Sequence, residues 1–447
     1  MQRLLGSILE ACARHRGVVL LVYAMLALLA VRSARQVPLD AIPDLSDPQV
    51  IVFTEWRGRS PTLVEDQVTY PISSALLAAP QVQAVRGYSM FGMSFVHVLF
   101  AEDVDVYWAR SRVQEYLGTI QARLPEGATA TLGPDATGIG WVYEYALVDR
   151  SGQHDLAELR ALQDFGLRYA LESVPGVAQV ASVGGFEKQY QVQLDPDRLR
   201  ALGLATTDVA DAIRRGNAEV GGRVLEIGGR EAFIRGRGYL GSEADLADLV
   251  VKTTPTGTPI RVGDVGHVRL GPELRRGLAE LNGEGEVVGA IVIARHNTHA
   301  LDVIERVKTR LQTISAGLPP GVEVVPTYDR SALIHRAVDT LGHALIEEGI
   351  VVALVIILFL LHLRSALLPI LSLPLAVLLA FIPMAWLGIP ATIMSLGGIA
   401  IAVGATVDAE IVMIEACHKR LEHAPPDLSA RDRRTSRPPA SVSCRRR

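Results

Sequence analysis

The sequence predicts an α+β membrane protein: four transmembrane helices carrying two ferredoxin-like βαββαβ subdomains, with a lobe inserted into the second. Three observations predict it: separated long apolar runs, an internal repeat, and alternating strand patterns inside each copy of that repeat. The 447-residue chain is 49% hydrophobic yet 21% charged, a mixture that suits spans joined to a water-exposed part. Its net charge of -4 gives no reason to expect nucleic acid. The cysteines are Cys12, Cys417 and Cys444, so the long middle of the chain has none. That excludes a disulfide framework and leaves the redox compartment open.

The first apolar run, "GVVLLVYAMLALLAV" (17–31), lies between Arg16 and Arg32. It follows Arg3, Arg14 and Arg16 as a signal peptide would. No small-residue cleavage site comes after it, so it reads as an uncleaved anchor. The second run is 349–363. The third, 366–388, contains Pro369, Pro374 and Pro383, and the fourth covers 391–416. About 20 residues cross the hydrocarbon core, and the linkers "HLRS" and "GIP" are too short to hold domains. Arg3, Arg14 and Arg16, then Arg364, then His418, Lys419 and Arg420 all fall on one side if the N-terminus is cytoplasmic; Arg32 and Arg35 oppose this mildly. The long segment between the first two runs then lies outside, in a periplasm if the cell is Gram-negative.

That segment repeats itself. "LGTIQARLPEGATATLGPD" (117–135) matches "LQTISAGLPPGVEVVPTYD" (311–329) without gaps, and "APQVQAVRG" (79–87) matches "VPGVAQVAS" (174–182). The two offsets differ, which implies an insertion within the second copy, placed at 186–284. In the first copy "QVIVFTEW" and "SFVHVLF" alternate as strands do. "SPTLVEDQVTYPISSALLA" opens with Ser-Pro, a helix start, and "DVYWARSRVQEYLGTIQARL" has helical spacing that stops before Pro125. Strand, helix, strand, strand, helix, strand is the split βαβ order. In the insertion, "DPDRLRALGLATTDVADAIRRGN" reads as two short helices and "VLEIGGREAFIRGRGYL" as a Gly-rich hairpin. Such a lobe either reaches a partner or merely stabilises its subdomain. The expected organisation is 1–36, N-terminus and first span; 37–136, subdomain 1; 137–185 with 285–332, subdomain 2; 186–284, the insert; 333–423, spans two to four; and 424–447, an Arg-, Pro- and Ser-rich tail expected to be disordered.

The fourth run carries three carboxylates: Asp408, Glu410 and Glu415. A charge at mid-bilayer costs at least ~2.5 kcal/mol, so such residues are usually functional. At about 100° per residue, Asp408 and Glu415 lie about 20° apart, while Glu410 lies almost opposite Asp408. Asp408 is the deeper acid and the better proton-relay candidate, because burial raises a carboxyl pKa toward neutrality; pairing to a lysine for packing alone is the bland alternative. Glu415 precedes Lys419 by four residues and serves either as a solvated interfacial acid or in the proton path. Glu410 has no clear account. Gly397, Gly398 and Gly404 are expected to admit a closely packed neighbouring helix. Taken alone, Met394 fits packing as well as metal ligation.

Several stretches together resemble a known family: "DAIPDLSDPQVIVFTEW", "VEDQVTYPIS", "VRGYSMFG", "LGPDATGIGWVYEYALVDRSG", "FIRGRGYL", "PTYDRSALIHRAVDTL", "HLRSALLPILSLPLAV" and "IMSLGGIAIAVGATVDAEIVMIEACHKRLEH". They are similar to the heavy-metal efflux branch of the resistance-nodulation-division (RND) transporters, more to copper/silver exporters of the CusA type than to the CzcA type. The likeness covers about residues 1–423. It implies a trimeric, multi-pass inner-membrane proton antiporter that joins a periplasmic adaptor and an outer-membrane channel, with no cofactor beyond the transported ion and the proton motive force. It implies that the repeats are porter subdomains and the insert half of a docking domain. Asp408 falls on the family's relay aspartate, and Met394 on a methionine that passes metal through the membrane part; a soft thioether suits Cu(I) or Ag(I).

The sequence departs from this pattern. Thr406 stands where the CusA type has a second methionine, Glu410 where it has alanine, and Ala402 where the CzcA type has an aspartate. Met90 and Met93 sit on a porter strand, where packing is the default reading. The family has about twelve spans; the resemblance therefore implies a truncated or frameshifted chain, inactive alone, with the relay partners of Asp408 elsewhere. The alternative of another class is a non-transporting, membrane-anchored scaffold that binds the adaptor. An enzyme is not expected: there is no phosphate-cradling Gly-rich loop in a strand–helix context and no H-x-x-x-H spacing.

Overall fold

The computed structural model describes residues 12, 14–40, 42–275, 277–360 and 363–422. The tail expected at 424–447 lies outside the described residues.

Helix α1 (Arg16–Gln36) carries the first apolar run and ends where Val37 turns extended. Strand β1 (Gln49–Glu55) follows, its even-numbered residues more buried than its odd ones, as alternation requires. Helix α2 is composite: Pro61–Val64, a π-turn at Glu65–Thr69, and Tyr70–Leu76. It starts at Ser60, whose side-chain oxygen accepts from the Leu63 N–H, and Pro61 occupies the first helical position. Strands β2 (Val82–Met90) and β3 (Met93–Phe100) form a hairpin; helix α3 (Val106–Ile120), capped by Asp105 on the Trp108 N–H at 2.8 Å, leads to β4 (Thr129–Leu132).

The second half repeats this plan. Strand β5 (Trp141–Asp149) is followed by a second composite helix α4 (Leu156–Leu162, a π-turn at Gln163–Leu167, Arg168–Glu172) and β6 (Val177–Gly184). After a long excursion come β13 (Val288–Ala294), a helix and β14 (Val322–Asp329). The sheets are ordered β2-β3-β1-β4 and β14-β5-β13-β6, the same order in each half once equivalent strands are matched. The turns match too. Gly127 and Gly321 take φ +84° and +89°, and Gln81 and Gly176 take +61° and +95°.

The excursion holds β7 (Lys188–Leu194), α5 (Pro196–Ala201), α6 (Thr206–Gly216), the hairpin β8 (Val220–Ile227) and β9 (Arg230–Gly236), α7 (Glu243–Ala247), β10 (Val250–Thr253), β11 (Pro259–Arg261), α8 (Val262–Val265) and β12 (Gly266–Pro272). The two helices and the Gly-rich hairpin stand where the sequence pattern placed them. Strands β7 and β12 pair antiparallel at its base. A small core around Val209, Ile260, Val262 and Val265 holds the lobe. Every residue of β8 and β9 is exposed.

Each sheet buries one face against its two helices. The first core gathers Val50, Val52, Val96, Val98 and Phe100 with Ile72, Leu76 and Val113; the second gathers Tyr145, Leu147, Val180 and Val292 with Leu171, Ile304 and Val307. The helix between β13 and β14 is α9 (Ala300–Ser315). Polar pairs pin the composite helices to their sheets: Thr69 Oγ1 meets Ser89 Oγ at 2.7 Å and Ser94 Oγ at 2.8 Å, and Asp164 accepts from Ser182 Oγ at 2.5 Å.

Three long helices come last among the described residues: α10 (Arg330–Leu360), α11 (Leu363–Leu387) and α12 (Ile393–Glu422). Among the described residues two helices are long and apolar enough to cross a membrane, Gly17–Gln36 and Ile393–Met413; Pro374–Leu387 is a shorter apolar helix. The second expected span runs along α10 into residues 361–362, which lie outside the described residues. The soluble part is tied to these helices at one junction. The Asp40 N–H donates to the Ala391 carbonyl at 3.1 Å, and Arg330, almost wholly buried, pairs with Asp40 at 2.8 Å while donating to the Ile139 carbonyl.

Candidate functional site

Helix α12 carries the site residues the sequence singled out. Its start is fixed by a reciprocal cap: the Thr392 N–H donates to Ser395 Oγ at 2.8 Å, and the Ser395 N–H to Thr392 Oγ1 at 3.3 Å. Met394 sits in this first turn and is 68% exposed. Asp408 lies fourteen residues on, about 21 Å along the axis at about 1.5 Å per residue, and Glu415 another two turns beyond. Met394, Asp408 and Glu415 fall at seven-residue intervals of the same series, so they share one stripe of the helix. All three are exposed. The stripe aligns them without bringing them into contact.

Glu415 is paired: Lys419 Nζ stands 2.6 Å from its Oε1, both side chains more than half exposed. Thr406 Oγ1 donates to its own helix at the Ala402 carbonyl, 2.9 Å away. Asp408 makes no hydrogen bond or ion pair among the described residues. The side chain of Glu410 is not among those described. At the start of α12, Leu396 and Ile399 pack with Phe381, Met384 and Ala385 of α11 and with Val37. Further along, α12 runs beside α10 and α11, and none of the described residues in its most apolar stretch is buried.

One expectation finds no partner among the described residues. Gly397 and Gly398 were expected to admit a closely packed helix, yet a Cβ at either would meet nothing within 4 Å. Among the described residues, their small size admits no close neighbour.

A second feature was not legible beforehand. A cleft of about 1080 Å³ opens between the outer face of the first sheet and β6, bordered by Phe53, Met93, Phe95 and His97 on one side and by Arg160 and Gln179 on the other. The rings of Phe53 and Phe95 lie 5.0 Å apart between centroids, inclined at 44°, and Tyr88 meets His97 edge-on at 5.5 Å. Partial burial, then the nearby Arg86, holds the His97 imidazole below its ordinary pKa. At the rim Arg57 bridges Glu55 at 2.8 Å and Glu273 at 3.3 Å. The alternation of β1 and β3 marks these as outward residues; only the tertiary packing of the second half makes them a cleft. No group of three or more His, Cys, Asp or Glu side chains suited to a metal ion occurs among the described residues.

The AcrB/AcrD/AcrF family model matches residues 8–437, nearly the whole chain. The chain belongs to this family. It is 52% identical to the cation efflux system protein CusA of Escherichia coli (strain K12) over 425 residues, 94% of this chain and 41% of that protein. It is 35% identical over 425 residues to the cobalt-zinc-cadmium resistance protein CzcA of Cupriavidus metallidurans, covering 93% of this chain and 40% of that one. The crystal structure of a heavy metal efflux pump superposes with a TM-score of 0.83 at 34% identity, over 93% of this chain and 42% of the pump. The chain thus has the mixed α/β fold of RND efflux pumps and spans about two fifths of the length of the relatives it matches.

Proposed function

We propose that this chain supplies the N-terminal part of an inner-membrane RND pump that exports heavy-metal cations, Cu(I) or Ag(I), in exchange for protons. The observation that carries the reading is Asp408: a carboxylate set in an apolar helix long enough to cross a membrane, on a face that nothing in the described chain covers. An acid there is costly unless it is used. As a relay it takes a proton from one side and releases it to the other, and its environment in the assembled pump sets the pKa at which it does so. Met394, on the same stripe at the other end of the apolar stretch, is the thioether ligand along the cation's route. Glu415, paired with Lys419, stands at the cytoplasmic end as the proton's outlet.

In this reading α1, the apolar part of α10, α11 and α12 are the four spans, and the two four-stranded sheets with their helices are periplasmic porter subdomains. The open face of α12, Gly397 and Gly398 included, meets helices from the remainder of the pump. The exposed β8–β9 hairpin and its lobe make the contacts that hold a homotrimer beneath a periplasmic adaptor and an outer-membrane channel. The higher identity to CusA than to CzcA and the lack of an acid at Ala402 favour a monovalent soft ion over divalent zinc or cobalt.

The test is a chimaera. Residues 8–422 replace the matching part of the E. coli relative in a host stripped of its own metal pumps. Growth in Ag(I) and Cu(I) is expected to be restored, with little gain in Zn(II) or Co(II). Restored growth in zinc or cobalt alone would refute the metal assignment.

A further inference from the structure

The chain contains seven methionines. Five of them, Met1, Met25, Met384, Met394 and Met413, lie at the N-terminus or in apolar runs; only Met90 and Met93 lie in the long water-exposed region. Those two face each other. They flank the two-residue turn Phe91–Gly92 and are direct partners in the antiparallel register of β2 and β3. Both belong to the outer face of the first sheet: Ser89 and Ser94, their neighbours in sequence, point inward to Thr69, and successive strand residues alternate. Partnered residues on adjacent strands hold their Cβ atoms about 4.5–5.5 Å apart. Each methionine has three rotatable bonds and a polarisable sulfur, so both sulfurs can reach one ion.

The hairpin tip is held in place. The Gly92 N–H donates to the Arg59 carbonyl at 2.9 Å, and the Trp56 N–H donates to the Gly92 carbonyl at 2.8 Å. Gly92 has φ +69°, and a Cβ there would sit 3.3 Å from the Arg57 Cα and the Trp56 carbonyl, so only glycine makes this close approach without strain. The methionines themselves are not used up in a core: Met90 is 50% exposed and Met93 borders the cleft. A pair whose only task was packing would be expected to lie deeper. Glu55, the partner of Met93 on the next strand, is engaged by Arg57.

We propose that Met90 and Met93 form a two-thioether site for a soft monovalent cation, Ag(I) or Cu(I), at the mouth of the cleft between the two sheets. Thioether sulfur prefers such ions to zinc or cobalt. The site rests on the reading that soft metal cations are the cargo, and it would load them before they enter the cleft.

The test is Ag(I) titration of the full chain in detergent, labelled at the methionine methyl carbons, with Met90→Leu and Met93→Leu assigning the two signals. Leucine keeps volume and apolarity, so the fold is retained. The Met90 and Met93 signals are expected to move together with one midpoint, and each Leu variant to weaken the shift of the other methionine at least tenfold in Ag(I) concentration. Zn(II) is expected to move neither. Movement confined to Met25, Met384, Met394 or Met413 would overturn this site and leave the soft-metal reading standing. Independent midpoints for Met90 and Met93 would overturn it too. If Ag(I) moves no methionine, both this site and the soft-metal reading fall.

Discussion

Asp408, Met394 and Glu415 were legible as residues because their chemistry conflicts with their setting: two acids and a thioether on an apolar helix. Their alignment follows from helical periodicity alone. What the sequence could not show is that all three face outward within this chain, since exposure depends on where α10 and α11 pack. His97 is the opposite case. Nothing in "SFVHVLF" marks it, because its environment comes from Tyr88 and Arg86 on the neighbouring strand and from the second half across the cleft. Its depressed pKa makes a prediction. NMR titration of the ring protons is expected to give a midpoint below 6.5, the ordinary value. Arg86→Gln should raise it only in part, because burial is the larger cause. The folded state favours the neutral ring, so this contribution to stability is present above about pH 6.5 and is lost as pH falls through the lowered value. A midpoint at or above 6.5 would contradict the partial burial of His97.

Elements follow from shorter-range rules, and most were legible. Alternation gave β1 and β3, Ser60-Pro61 gave a helix start, helical spacing gave α3, and Pro125 marked where that helix ends. The π-turns in α2 and α4 were not legible, because a π-turn differs from an α-turn by one residue of register and leaves the apolar spacing almost unchanged. Gly397 and Gly398 meet no close neighbour among the described residues, because a small residue permits a neighbour without supplying one. The repeated turns test the duplication in energetic terms. At Gly176 the backbone is left-handed, and a Cβ would come within 2.6 Å of the buried Val303 Cγ2. Gly176→Ala is therefore expected to destabilise by about 1–3 kcal/mol, seen as a lower Tm in detergent. Gln81 holds the equivalent left-handed position with a side chain. Gln81→Gly relieves about 1 kcal/mol of strain and costs about 0.5–1 kcal/mol in chain entropy, so its Tm should barely move. Equal effects at the two sites would argue against the asymmetry seen in the structure.

At the scale of the molecule, the repeat was visible because its turns kept their prolines, Pro80 with Pro175 and Pro125 with Pro319, and in one case the glycine, Gly127 with Gly321, while the strands between them kept mainly their pattern. The cleft was invisible for the complementary reason: it is bounded by residues far apart in sequence and by the return of the chain from the inserted lobe. The junction of Asp40, Arg330 and Ala391 links the two-sheet part of the chain to α10 and to the α11–α12 connection. The central claim is that Asp408 carries the proton that drives export. The most direct measurement is metal-dependent proton flux in vesicles containing the chimaeric pump, compared with its Asp408→Asn variant at equal protein level. The account predicts that Ag(I)-driven acidification or alkalinisation falls to background in the variant, together with resistance. Flux and resistance that persist in Asp408→Asn would contradict it.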